Sequence, residues 1–117
     1  MHEVSIAMSL LDIIRQELAK HGATRLLSVE VHHGVLANIV PEALEFAFQS
    51  MTIDTEFAGA RLTMVETPLT VRCGGCGVTF SPEPPDPLYM PCPTCGLEFG
   101  HTVLTGKELY LERIEAE

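Results

Sequence analysis

The chain has 117 residues, of which 7 are Lys or Arg and 16 Asp or Glu, for a net charge of −9; 46% are hydrophobic and 20% charged. That fits one ordinary domain, or one domain with a small satellite, and excludes wholesale disorder. The acidic balance excludes nucleic acid as a partner, because phosphate binding depends on Lys and Arg, and no apolar run approaches the roughly 18 residues of a membrane span.

In chain order, Val4, Ala7, Leu11, Ile14 and Leu18 recur at three- and four-residue steps, which predicts a helix with these residues on its buried face. Gly22 is a natural stop, and Lys20 and His21 suit the negative end of that helix. Leu27, Val29 and Val31 alternate with Ser28, Glu30 and His32, which predicts a half-buried strand ending at Gly34. Pro41 opens a second helix with Glu42 in its first turn and Leu44, Ala47, Phe48 and Met51 on its buried face. A second strand is expected at about Arg61 to Thr67, limited by Pro68.

Composition then changes. Pro82, Pro84, Pro85, Pro87, Pro91 and Pro93 almost exclude a helix there, and the segment from about 70 to 104 has few bulky apolar side chains. Lys107 to Ile114 reads as a last strand, with Leu109 and Leu111 on one face and Tyr110 and Glu112 on the other. The economical architecture is α+β: two helices on a three-stranded sheet formed by residues 1–69 and 105–117, with a module of residues 70–104 spliced in before the final strand.

All four cysteines lie in two pairs, Cys73-Gly74-Gly75-Cys76 and Cys92-Pro93-Thr94-Cys95. His2 and Glu3 stand where an export signal would carry Lys or Arg, and no apolar stretch of the signal-peptide kind follows, so a cytoplasmic protein with reduced thiols is expected. Two CxxC knuckles at this separation read as a zinc site, with four thiolates closing a tetrahedron around a structural ion. Gly77 and Gly96 follow the second cysteine of each pair and permit the positive φ that such knuckles need. The metal can then substitute for the apolar core this segment lacks.

The opening Met1-His2-Glu3 offers an α-amine, an amide nitrogen and an imidazole that can close two chelate rings around Ni²⁺ or Cu²⁺. The same residues equally read as a solvated chain start, and the spacing alone leaves both readings open. His32 and His33 point to opposite faces of their strand, one exposed and one at the sheet rim; His21 reads as a helix-end charge. His101 is placed to approach a metal in the cysteine module, with a surface histidine as the plainer reading. The chain has no Gly-rich phosphate loop, no GxSxG and no Cys–His nucleophile pair outside the knuckles, which counts against an enzyme.

Met1-His2-Glu3-Val4-Ser5-Ile6, Gly34-Val35-Leu36, Pro41-Glu42-Ala43-Leu44 with Phe46, the two CxxC pairs and Gly106-Lys107-Glu108-Leu109 occur in an order that resembles the HypA/HybF hydrogenase nickel-incorporation proteins. The resemblance spans nearly the whole chain. It implies a nickel metallochaperone with a nickel-binding domain and a zinc ribbon. Ni(II) would be held by His2, the Met1 amine and nearby backbone nitrogens with Glu3 assisting, and Zn(II) by Cys73, Cys76, Cys92 and Cys95. The implied partners are a HypB-type GTPase, a [NiFe]-hydrogenase large-subunit precursor and, for some members, urease maturation factors. Some members carry an Asp shortly after the first strand that approaches nickel; here the stretch reads Ile39-Val40-Pro41, and Glu42 is the nearest acid. Two other classes stay open: a zinc-ribbon adaptor that carries no metal cargo, and a zinc hydrolase with an open zinc position.

Overall fold

The computed structural model describes residues 2–86 and 88–117. Eight elements follow one another: α1 (His2–His21), β1 (Leu26–Gly34), α2 (Pro41–Thr52), β2 (Arg61–Thr67), β3 (Thr70–Arg72), β4 (Thr79–Phe80), β5 (Thr102–Thr105) and β6 (Leu109–Ala116). They form two three-stranded sheets, ordered β2-β1-β6 and β4-β3-β5. The α+β architecture of two helices with sheets is therefore the one expected. No described helix is long and apolar enough to cross a membrane.

The chain divides into two compact units. The first comprises Met1–His32, Ile39–Val65 and Tyr110–Glu117. Its core joins Ala7, Leu11, Ile14 and Leu18 of α1 to Val29 and Val31 of β1 and to Leu44, Ala47 and Phe48 of α2, with Leu62, Met64, Leu111 and Ile114 packed against them. Ile14, Val31, Leu44 and Phe48 are wholly buried, so the hydrophobic effect accounts for the pairing of helices with sheet. Pro41 occupies the first turn of α2, where its missing N–H costs nothing.

Several side chains depart from the expected pattern. Leu10 is buried and Ile6 packs against the core, whereas Val4 is exposed. The apolar stripe of α1 is rotated toward Ile6 and Leu10, which leaves Val4 on its far flank. At the start of β1, Leu26 rather than Leu27 turns inward, and regular alternation sets in only from Val29. Just ahead of the strand, the Thr24 and Arg25 N–H groups both donate to the Glu117 carbonyl. At the end of α2, Thr52 is buried and Met51 only half-buried. On β6, Leu111 and Ile114 face the core and Leu109 is exposed, because this strand does not keep a strict two-residue period. His33 is buried, not at a rim; His32 is half-buried, donating to Glu30 Oε2 at 2.7 Å and accepting from the Tyr110 hydroxyl at 3.2 Å.

The second unit comprises His33–Asn38 and Glu66–Leu109. In it β3 pairs antiparallel with both β4 and β5. Its apolar cluster is small: Leu69, Val71 and Met90, with Val35, Leu36, Phe80 and Val103 against them. Glu108 ties one corner together. Its carboxylate accepts from the Gly106 N–H at 2.6 Å and the Thr67 hydroxyl at 2.9 Å. Its own backbone N–H, then that of Gly106, hold its pKa below the usual glutamate value.

Candidate metal centre

The two CxxC segments fold into near-identical knuckles. In the first, the Gly77 N–H donates to the Cys73 carbonyl at 3.1 Å and the Cys73 N–H to the Val78 carbonyl at 2.8 Å. In the second, Gly96 donates to Cys92 at 2.9 Å and Cys92 to Leu97 at 2.8 Å. The glycine closing each turn lies at positive φ, +80° for Gly77 and +79° for Gly96, where a side chain would strain the backbone.

This geometry aims N–H groups at sulfur. Gly75 and Cys76 N–H point at Cys73 Sγ at 3.3 and 3.4 Å, and Thr94 and Cys95 N–H at Cys92 Sγ, both at 3.4 Å. The four sulfurs lie within 4.8 Å of one another, and none is in a disulfide. Cys73 Sγ is 3.5 Å from Cys95 Sγ, and Cys76 Sγ is 3.6 Å from Cys92 Sγ. A tetrahedron with metal–sulfur bonds of about 2.3 Å has sulfur–sulfur edges of about 3.8 Å. The donor set therefore fits a thiophilic four-coordinate ion such as zinc, with all four positions filled by protein. It leaves no place for the open position a zinc hydrolase requires.

The N–H groups also set the acidity of the cluster. That of Cys76, followed by burial acting the other way and then the N–H of Gly75, leaves Cys73 at about 6. The Val78 N–H pulls Cys76 down, but burial and the sulfurs of Cys92 and Cys73 outweigh it and push that thiol up to about 11. A metal entering near neutrality displaces protons from the sulfurs that still hold them.

His101 lies at this centre, but in a role the sequence did not indicate. It is neither a ligand nor a free surface group. Its Nδ1 accepts the Gly74 N–H of the first knuckle at 3.2 Å. Its Nε2 faces two acceptors, the Met90 carbonyl at 2.8 Å and the Leu97 carbonyl at 3.0 Å, so the proton resides there. Phe80 packs edge-on against the ring at 5.3 Å. The imidazole thus braces the first knuckle against the residues flanking the second. His101→Ala is expected to weaken metal retention by roughly ten- to a hundredfold, the usual range for outer-shell partners, without removing a ligand. Competition with a chromophoric chelator measures this.

The N-terminal residues are placed only in part. Met1 and the side chain of His2 lie outside the described residues. The His2 backbone opens α1. Glu3 is half-buried, and its Oε2 accepts the Val40 N–H at 3.3 Å, just ahead of α2. A carboxylate is favoured at that positive helix end. Glu42 is exposed in the first turn of α2.

The chain is similar to known proteins. Residues 1–116 match the family described as hydrogenase/urease nickel incorporation, metallochaperone, HypA. The chain is 54% identical over 117 residues to the hydrogenase maturation factor HypA of Solidesulfovibrio magneticus, with both chains covered in full. It is 40% identical to that of Lawsonia intracellularis, again with full coverage of both. Among solved structures, the solution structure of the Ni metallochaperone HypA from Helicobacter pylori superposes with a TM-score of 0.65 at 21% identity, covering 97% of this chain and 96% of that one. A solution structure of HypA protein superposes with a TM-score of 0.73 at 24% identity, covering 100% of this chain and 97% of that one. At those identities the two structures establish the fold.

Proposed function

We propose, from the premise that this chain belongs to the HypA family of hydrogenase and urease nickel-incorporation metallochaperones, that it binds Ni(II) at its N-terminus and delivers it during [NiFe]-hydrogenase maturation. The ligands are the His2 imidazole, the Met1 amine and adjacent backbone nitrogens, with Glu3 assisting. The observation that carries this reading is the match of residues 1–116 to the nickel-incorporation family; within α1, the Glu3 carboxylate next to His2 in the chain accepts the Val40 N–H. Such a site fixes only part of a coordination sphere and leaves a position through which an acceptor's ligand enters. Cys73, Cys76, Cys92 and Cys95 hold Zn(II) as a structural ion, which orders residues 70–104 and takes no part in chemistry. The protein works in the cytoplasm, catalyses no reaction itself, and hands its cargo on through a HypB-type GTPase to the hydrogenase large-subunit precursor, with urease maturation as a second route.

His2→Ala is expected to abolish high-affinity nickel binding while fold and zinc content stay intact. An extension ahead of Met1 acts similarly, because it turns the amine into a poorly donating amide. Binding to the wild type weakens as pH falls through the reference pKa values of the amine and imidazole, about 8 and 6.5, since protons compete with nickel for both. Calorimetry on the wild type and both variants decides it. Equal affinity for all three sinks the N-terminal site and leaves a zinc-ribbon adaptor without metal cargo.

A further inference from the structure

Helix α2 buries Leu44, Ala47 and Phe48, yet its opposite face is not simply polar. Phe46 and Ile53 are 71% and 66% exposed, a large apolar area to leave in water. They flank a shallow groove of about 430 Å³, walled by Gln49 and by the turn Ala58, Gly59 and Ala60. The small residues of that turn make the concavity: a Cβ added at Gly59 would meet nothing within 4 Å. The rim is acidic. Glu42 stands one turn before Phe46, Glu45 beside it and Asp54 directly after Ile53. No Lys or Arg occurs between Arg25 and Arg61. Among the described residues these three carboxylates form no ion pair, whereas the nearby Glu56 is taken by Arg15 at 3.5 Å.

We infer that this face of α2 is a docking surface for a basic amphipathic segment of a partner protein, one that sets bulky aliphatic side chains between Phe46 and Ile53 and Lys or Arg against Glu42, Glu45 and Asp54. Charge selects this occupant over the alternatives. A second copy packed symmetrically on the same face would set carboxylate against carboxylate. An anionic membrane surface would be repelled in the same way. A basic helix meets both features of the groove at once, with apolar anchors for affinity and charges for register and rate of encounter. Phe46 lies about 9 Å along the helix from Val40, whose N–H meets the Glu3 carboxylate, so a docked partner comes within reach of Glu3. Its use in nickel transfer rests on the nickel reading above; the docking itself does not.

The test uses nickel-free, zinc-loaded, 15N-labelled protein, so that its failure is separate from failure of the nickel site. The probe is a helical peptide of about fifteen residues with leucines along one face and lysines at both ends of that face. Saturable shift changes confined to residues 42–60 are expected. Affinity should fall at least tenfold in Phe46→Ser/Ile53→Ser, whose exposed side chains bear no packing load. It should fall similarly for a twin peptide with Glu in place of Lys, and it should weaken as salt rises. Equal binding of the two peptides, unchanged binding by the double variant, or shifts lying mainly outside 42–60 each overturn the proposal. So does a wild-type dimer that the double variant abolishes, because a second copy would then be the occupant.

Discussion

Cys73→Ser is expected to release or loosen the metal and to unfold residues 70–104, while α1 and α2 keep their helical signal. Among the described residues, the second unit's apolar cluster centres on three buried residues, Leu69, Val71 and Met90. Metal binding in small zinc modules supplies on the order of 10 kcal/mol, which is folding free energy where no preformed core exists. Cys73 is buried, and its sulfur accepts two N–H groups, so a serine hydroxyl there loses both the ligand and the geometry that aimed those donors. The first unit has its own core around Ile14, Val31 and Phe48 and does not depend on the metal. Metal content, limited proteolysis and circular dichroism at the helical band read the three effects separately. One tightly held zinc per chain together with unchanged protease resistance would show the cysteines to be dispensable for this unit's order.

A single methyl group at Gly34 is expected to destabilise the protein by about 3 kcal/mol or more, in the range of severe overpacking, and to lower Tm by roughly 10 °C or more. A Cβ there would lie 2.0 Å from the Gly106 carbonyl carbon and 2.2 Å from its oxygen. Neither segment can give way cheaply. The Gly34 N–H donates to the Glu108 carbonyl at 2.8 Å, and the Leu36 N–H to the Gly106 carbonyl at 2.7 Å. Gly106 is itself at φ +121°, with Leu69 Cα 2.9 Å from where its own Cβ would sit. Gly59→Ala is the matching control: its φ of +85° strains an alanine, but open space surrounds it, so about 1 kcal/mol is expected. Thermal unfolding of both variants checks this, and equal losses would mean that the approach of residues 34 and 106 bears no load.

What could be read in the residues follows a physical divide. The helix at Pro41–Thr52, the strand at Arg61–Thr67 and the two cysteine knuckles are specified locally. Proline fixes φ at the first turn, side-chain periodicity selects helix or strand, and a CxxC turn with a following glycine presents two thiolates whatever lies beyond it. The N-terminal nickel reading likewise rests on three adjacent residues.

The sequence by itself therefore determined the types of α1, β1, α2, β2 and β6, the four-sulfur set and the family, because each depends on neighbours along the chain; the short strands β3, β4 and β5 had no such local signal. Tertiary structure decided the rest. Which flank of α1 is buried depends on where sheet and second helix press, so Leu10 enters the core and Val4 does not. His101 finds its partners at Gly74, Met90 and Leu97 only when both knuckles stand together, and no spacing announces that brace. Gly34 and Gly106 are small because two backbones pass within a methyl group's reach of each other. That requirement exists only in three dimensions, since close packing, unlike helix or turn preference, is set by atoms distant in sequence.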